Sequence, residues 1–344
     1  ISYSVVMPWM NNGVHPDEHF MPESFKAAGY QTAMVGKWHL GHSQEIFHPN
    51  ARGFDDFYGH LHTEVGYFPP FANQGGVDFQ RNGVTIADEG YETFLLADEA
   101  SRWIKDRDKD KPFFLYMPFI APHSPLEAPD DLVKKYEDLE DTRELTRSAA
   151  IDRTRTLNGF SPSARPMYAA VVDGLDQAIG QVLDTLAKEG IEEETIILFS
   201  SDNGGAAYAG GGADNFPLRG GKGDTYEGGI RVVAAMKWKG TLDAGKSFES
   251  IMTVMDVFPT LASAAGVSTT KWSRVTADEL PSSLHCIQEC LTATGLNTHY
   301  SDAKAQADPA GDNTYTGTVS TSSPSPYADV GPYIKANTSV TRTY

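Results

Sequence analysis

Gly29-Tyr30-Gln31-Thr32-Ala33-Met34-Val35-Gly36-Lys37-Trp38-His39-Leu40-Gly41 is the stretch that sets the class of fold. Ala33-Met34-Val35 has the length of a buried strand, with a lysine and a histidine at its carboxyl end. Side chains alternate along a strand, so Lys37 and His39 are expected on one face and Trp38 on the other. In open α/β sheets ligands collect in the crevice beyond the carboxyl ends of the strands, where this cation and this proton carrier would stand together. The segment in front, Pro22 to Ala28, reads as a short helix with proline in its first turn and Gly29 ending it.

The same pattern recurs downstream. Phe113-Phe114-Leu115-Tyr116-Met117 reads as a second strand and leaves through Ala121-Pro122-His123-Ser124-Pro125, placing His123 just past it. Between Pro166 and Lys188 the apolar positions Val171, Val172, Leu175, Ile179, Val182, Leu183 and Leu186 fall at three- and four-residue spacing, an amphipathic helix with Gly190 near its end. Ile196-Ile197-Leu198-Phe199 is a continuous apolar run, read as a strand buried on both faces of a parallel sheet, and Ser200-Ser201-Asp202-Asn203-Gly204-Gly205 follows at once. A glycine-rich loop then carries Arg219, Lys222 and Glu227 ahead of a strand expected from Ile230 to Met236 and a helix from about Ile251 to Ala265. Strands alternating with helices give an α/β fold with a mainly parallel, mixed central sheet flanked by helices. After Gly266 the texture turns to Ser, Thr, Ala and Gly, so residues 1–266 are expected as one α/β domain and 267–344 as a smaller C-terminal region.

Bulk properties narrow the function classes. The 344 residues are 40% hydrophobic and 22% charged, globular values, and no run of about 18 apolar residues exists to span a membrane. A formal charge of -18 argues against nucleic acid and anionic membranes, so an anionic substrate must be held by a local basic pocket. The two cysteines, Cys286 and Cys290, make neither a disulfide framework nor a zinc site.

Singly, these residues have ordinary readings: Asp-Asn-Gly-Gly is a common turn sequence, and lone lysines are usually solvated. Their convergence is what carries meaning, because four separate segments each deliver polar residues directly after a strand-like run. Asp202 and Asn203 offer hard oxygen ligands for calcium or magnesium. Lys37, Lys222, His39 and His123 could hold a tetrahedral oxyanion and move protons beside it. Gly221-Lys222-Gly223 is no phosphate-binding loop, since that loop needs Ser or Thr after its lysine. Asp55-Asp56, between aromatic residues, reads as structural rather than metal-binding.

Together these motifs resemble the sulfatases, the arylsulfatase-like branch of the alkaline phosphatase superfamily. Gly29 to Gly41 is similar to the family's second signature, Ala121-Pro122-His123 to its proline-histidine segment, Ser201 to Gly204 to its metal-binding strand end, and Leu218 to Arg231 to the segment with its second active-site lysine. The resemblance runs from about residue 15 to 266. It implies an alkaline-phosphatase-like fold, calcium ahead of magnesium on Asp202 and Asn203, and sulfate or nucleophile held by Lys37 and Lys222. It further implies that His39 steadies the nucleophile, that His123 protonates the leaving alcohol, and that the reaction is hydrolysis of a sulfate monoester. The partners implied are a sulfated small molecule or glycan and a maturation factor that generates formylglycine. The location implied is secreted, periplasmic or lysosomal, to which the acceptor triplet Asn337-Thr338-Ser339 adds slight support.

The family's cysteine signature and its first-strand Asp-Asp pair are both missing. Ser161-Pro162-Ser163-Ala164-Arg165 has Phe160 where a nucleophile would stand and is rejected. The expectation is therefore an N-terminally truncated sulfatase whose formylglycine lies outside the chain, leaving the chain alone inactive. Two alternatives stay open: a non-catalytic structural or matrix protein that binds sulfated polysaccharide, and a phosphatase or phosphodiesterase of the same superfamily.

Overall fold

A computed structural model describes residues 5–73, 76–140, 164–206, 212–248 and 250–268. The chain falls into two compact units, the first being Ile1–Phe248 with Val267–Thr269 and the second the remainder.

The first unit opens with α1 (Met21–Ala27), whose proline stands in the first turn, and passes through Gly29 at φ 90° into β1 (Gln31–Lys37). Next come β2 (Asp56–His60), β3 (Ala72–Asn73), β4 (Gly76–Val77), β5 (Gln80–Arg81), β6 (Val84–Thr85) and α2 (Glu92–Asp106). They are followed by β7 (Phe113–Tyr116), α3 (Asp130–Lys135) and the long α4 (Ala164–Lys188). After these come β8 (Ile197–Ser200), the single turn α5 (Glu227–Ile230) and β9 (Ala234–Lys237).

The main sheet has the order β6-β5-β2-β1-β7. β1 runs parallel to β2, with Lys37 opposite His60, and parallel to β7, with Met34 opposite Tyr116, while β5 and β6 are antiparallel. The mixed, mainly parallel α/β sheet read from the sequence is the one observed.

β1 is covered on both faces, and the period of two is visible in what its side chains touch. Ala33 and Val35 face α2 and α4, packing with Trp103, Ile104 and Leu186 and with Leu96, Ala100 and Val171. Met34 faces the other way, into Trp38, Phe54 and Phe57. Burial of each large apolar side chain here contributes roughly 1.5–3 kcal/mol. Asp55 and Asp56 are structural, as expected. Asp55 accepts from the Thr32 amide at 3.1 Å and pairs with Lys26, while Asp56 accepts the Trp103 indole N–H at 2.8 Å.

Three readings change. β8 was expected inside the parallel sheet; it pairs antiparallel with β9 instead, Ser200 opposite Ala234, and Phe199 is 39% exposed. Four apolar residues carry strand propensity but no information about partner direction. The strand expected from Ile230 begins only at Ala234, because Glu227 to Ile230 close a helical turn. In the second unit, the helix expected over 251–265 shortens to a 3₁₀ turn, Val254–Asp256, running into α6 (Val257–Ala264). It starts at Thr253 because Asp256 accepts the Thr253 amide at 2.6 Å, closing a capping box. Cys286, Cys290, Asn337 and most of the region from 267 lie outside the described residues.

Candidate active site

The carboxyl end of β1 is shaped by close backbone approach. Gly36 has φ 136°, and a Cβ there would lie 2.2 Å from the Pro118 carbonyl oxygen. The Lys37 amide donates to that same oxygen at 2.8 Å, so the loop after β7 is laced to the end of β1. β1 stops at Lys37, and His39 turns into the left-handed region at φ 58°. Lys37 and His39 are thus not strand neighbours on a pleat, yet they still influence each other electrostatically. Trp38 is buried on the opposite side, donating its indole N–H to the Phe47 carbonyl at 2.8 Å.

His39 Nε2 lies 3.0 Å from the Val6 carbonyl oxygen, which can only accept, so Nε2 carries the proton and Nδ1 is the lone-pair nitrogen. His123 is the mirror case. Its Nδ1 lies 2.6 Å from the Ser124 carbonyl and 3.3 Å from a Glu64 carboxylate oxygen, so the proton sits on Nδ1 and Nε2 is the atom left for a substrate. The His123 carbonyl is held in turn by the Tyr67 hydroxyl at 2.8 Å.

Asp202 and Asn203 leave β8 in a turn held by its glycines. A Cβ on Gly204 would lie 1.7 Å from the Gly228 carbonyl oxygen, and the Gly204 amide donates to Gly229 at 2.9 Å. Asn215 clamps Gly205 on both its amide and its carbonyl, at 2.9 and 2.8 Å, while the Lys222 amide donates to the Gly205 carbonyl at 3.2 Å. These bonds tie the glycine-rich loop to the end of β8 and carry Lys222 to the acidic turn.

The charges report on one another. The Lys37 ammonium is held below its ordinary value, first by burial and then by the Lys222 charge, while Asp202 and Glu64 pull it back up. His39 is pushed down to about 4, by burial first and then by Lys37, with His123 and Lys222 adding to the effect and the Val6 bond opposing it. His123 is lowered by burial; Lys222 and Lys37 act the same way, and the Ser124 bond and Glu64 act against them. Five of the six residues read from the sequence, Lys37, His39, His123, Asp202 and Lys222, therefore share one electrostatic neighbourhood, and Asn203 adjoins Asp202. Two cations and two neutral imidazoles meeting in a half-buried place suit an anion.

Asp202 and Asn203 present hard oxygens, the donor chemistry calcium takes. Calcium wants six to eight oxygens, and among the described residues no group of three or more His, Cys, Asp or Glu gathers around a metal position. The pair fits calcium in kind and supplies part of a set.

A family model for sulfatases matches residues 2–267 of the chain. The chain belongs to the sulfatase family. Arylsulfatase J of Mus musculus is 33% identical over 272 residues, covering 77% of this chain and 42% of that protein. N-acetylgalactosamine-6-sulfatase of the same species is 31% identical over 273 residues, covering 74% and 46%. The solved structure of Ps i-CgsB in complex with k-i-k-neocarrahexaose superposes with a TM-score of 0.67 at 31% identity, over 77% of this chain and 57% of that one. This sulfatase chain thus spans under half the length of those two curated relatives. Its fold is alkaline-phosphatase-like.

Sequence reading missed Glu64, which contacts His123 and acts on Lys37. A signal existed: Glu64 lies just past the end of β2 as His39 lies just past the end of β1, a further strand end in the same row. It also missed His60 and Glu92, wholly buried beside the site. Nothing local marks them, because their burial comes from contacts distant in sequence.

Proposed function

We propose that the protein hydrolyses sulfate monoesters, with sulfated glycans as the substrate class. One observation supports this above all: burial and then the Lys222 charge, brought from a separate loop, hold down the Lys37 ammonium at the end of β1, an arrangement that costs stability until an anion lies between the two lysines. Two of the relatives, an N-acetylgalactosamine-6-sulfatase and a structure holding neocarrahexaose, favour a sugar sulfate over a simple aryl ester.

In this reading Lys37 and Lys222 bind the sulfate oxygens and hold the ester in one orientation. His123, its Nδ1 proton held by Ser124 and Glu64, presents Nε2 to the bridging oxygen; once the ring takes a second proton on Nε2, the imidazolium delivers that proton as the alcohol leaves. Anion binding between the lysines cancels their effect on His123 and raises its proton affinity when the acid is needed. His39, neutral with Nε2 tied to Val6, offers Nδ1 as a proton acceptor. Asp202 and Asn203 hold calcium. Calcium bound there would supply charge neutralisation at the sulfate, and a formylglycine would supply the attacking oxygen. A maturation factor that makes this formylglycine and a secreted, periplasmic or lysosomal location belong to the same reading.

Sulfate release from a sulfated sugar by the native protein tests it. Lys37→Ala and His123→Ala should each lower kcat/KM by about a hundredfold or more. Unchanged rates would remove these residues from the reaction, and tight binding of a sulfated glycan without any release would favour the purely binding role.

A further inference from the structure

We propose that Asp78, in the short loop between β4 and β5, is a positioning residue for His39: its carboxylate fixes the bend after β2, and the Leu61 carbonyl of that bend holds the His39 backbone. The inference rests on the function proposed above, in which His39 accepts a proton, and adds what keeps that acceptor in place.

The parallel ladder of β1 and β2 outlasts the strands themselves. Lys37 stands opposite His60, and beyond that pair the Trp38 amide donates to the His60 carbonyl at 2.9 Å and the His39 amide to the Leu61 carbonyl at 3.0 Å. His39 has φ 58° there, a left-handed conformation that a histidine keeps only where its surroundings impose it. The bend that imposes it is itself tied down by Asp78, a carboxylate only 8% exposed. Both Asp78 oxygens accept from the Leu61 amide, at 3.0 and 3.1 Å, and Oδ2 also accepts from the His62 amide at 2.8 Å. Hydrogen bonds from amides to a carboxylate are shorter and stronger than those between neutral groups. On its other side the bend is held by His60, whose Nδ1 donates to the His62 carbonyl at 3.1 Å. Asp78 is placed in turn by its own amide, which donates to the carbonyl of the buried Phe71 at 3.0 Å.

This chain of bonds reaches His39 and passes Lys37 by. The Lys37 amide donates to the Pro118 carbonyl at 2.8 Å, so the lysine is fixed from the β7 side of the sheet, and Trp38 between the two is anchored by its indole on Phe47. Removing the Asp78 carboxylate leaves the Leu61 and His62 amides without their acceptor, and the bend must shift to satisfy them. The Leu61 carbonyl moves with it. His39 then keeps only the ring bond to Val6 against leaving the left-handed region, while Lys37 stays where it is. Asp56, at the opposite end of β2, gives a contrast within one strand: it accepts the Trp103 indole N–H and supports the sheet without touching the end of β1.

Histidine NMR titration of the native protein tests this, with His39→Gln to assign the signal, beside kinetics on a sulfated sugar and calorimetry with inorganic sulfate. In the parent His39 titrates at about 4. In Asp78→Ala its midpoint should climb by about one pH unit or more toward the ordinary histidine value, with the His123 midpoint unmoved. The kcat should fall about tenfold, while KM and the affinity for inorganic sulfate stay within about twofold, because the lysines have not moved. Asp78→Asn, which keeps one oxygen for the two amides, should give intermediate values, and these decide the matter if Asp78→Ala does not fold. Asp56→Ala should lower stability and leave the His39 midpoint alone. A His39 midpoint unchanged in the Asp78 variants, or moved as far by Asp56→Ala, overturns the positioning role. A parent protein that releases no sulfate overturns the proposed function instead, and the His39 titration still decides what Asp78 does.

Discussion

Glu92 and His60 offer a sharp test of how the ground beneath the site is built. Both side chains are wholly buried, His60 Nε2 and Glu92 Oε1 lie 3.9 Å apart, and neither Glu92 oxygen has a hydrogen-bond partner among the described residues. Burial drives the Glu92 carboxyl up to about 8 and is the main force pushing His60 down to about 3, aided by Lys37. The two are therefore a neutral pair at physiological pH, not an ion pair. A carboxyl whose folded value lies above its unfolded one stabilises fully below about 4.5, and the benefit is lost as pH climbs to about 8. At about 1.36 kcal/mol per pH unit, that window is worth on the order of 5 kcal/mol. Glu92→Gln keeps the shape and abolishes the titration. Urea unfolding of parent and variant from pH 5 to 8.5 isolates the group, since the other titrations cancel in the difference. The variant should gain on the parent by about 1.4 kcal/mol per pH unit, flattening above 8. A difference independent of pH would refute the neutral pair, and a uniform loss on substitution would point to a buried ion pair.

Two further outcomes follow from local geometry. Gly36→Ala puts a Cβ 2.2 Å from the Pro118 oxygen at φ 136°, whereas Gly83→Ala, at φ 82°, meets nothing within 4 Å. Thermal unfolding should show Gly36→Ala costing about 2 kcal/mol more than Gly83→Ala, and equal costs would mean the loop after β7 yields freely. Calcium should raise the melting temperature of the native protein, by about 2.7 kcal/mol of added stability at a hundred times its Kd. Asp202→Ala should remove that shift, and an undiminished shift would place calcium elsewhere.

Legibility followed the length and regularity of each signal. β1 and α4 were readable because a buried apolar run and a 25-residue amphipathic helix each repeat their pattern within one segment. The pairs β3 to β6 are two residues long and carry no period to detect. β8 was found as a strand and β9 in part, within the strand expected from Ile230 to Met236, but their antiparallel pairing was not foreseeable, since pairing direction depends on the chain between them. In the candidate site, Lys37, His39, His123, Asp202 and Asn203 were legible because they stand at or soon after the end of a strand-like run, and Lys222 because its glycine-rich loop follows the same strand end as Asp202. Glu64 obeys the same rule and was passed over because β2 itself, with glycine and histidine in Asp56–His60, does not look apolar.

The central claim is that Lys37, His39, His123, Asp202 and Lys222 form a sulfatase pocket. The most direct measurement compares sulfate and phosphate release by the native protein from a matched pair of sugar monoesters in the presence of calcium. Sulfate release, lost when calcium is chelated and in Lys222→Ala, is the predicted result. Faster release of phosphate, or sulfate release indifferent to Lys222→Ala, would contradict it.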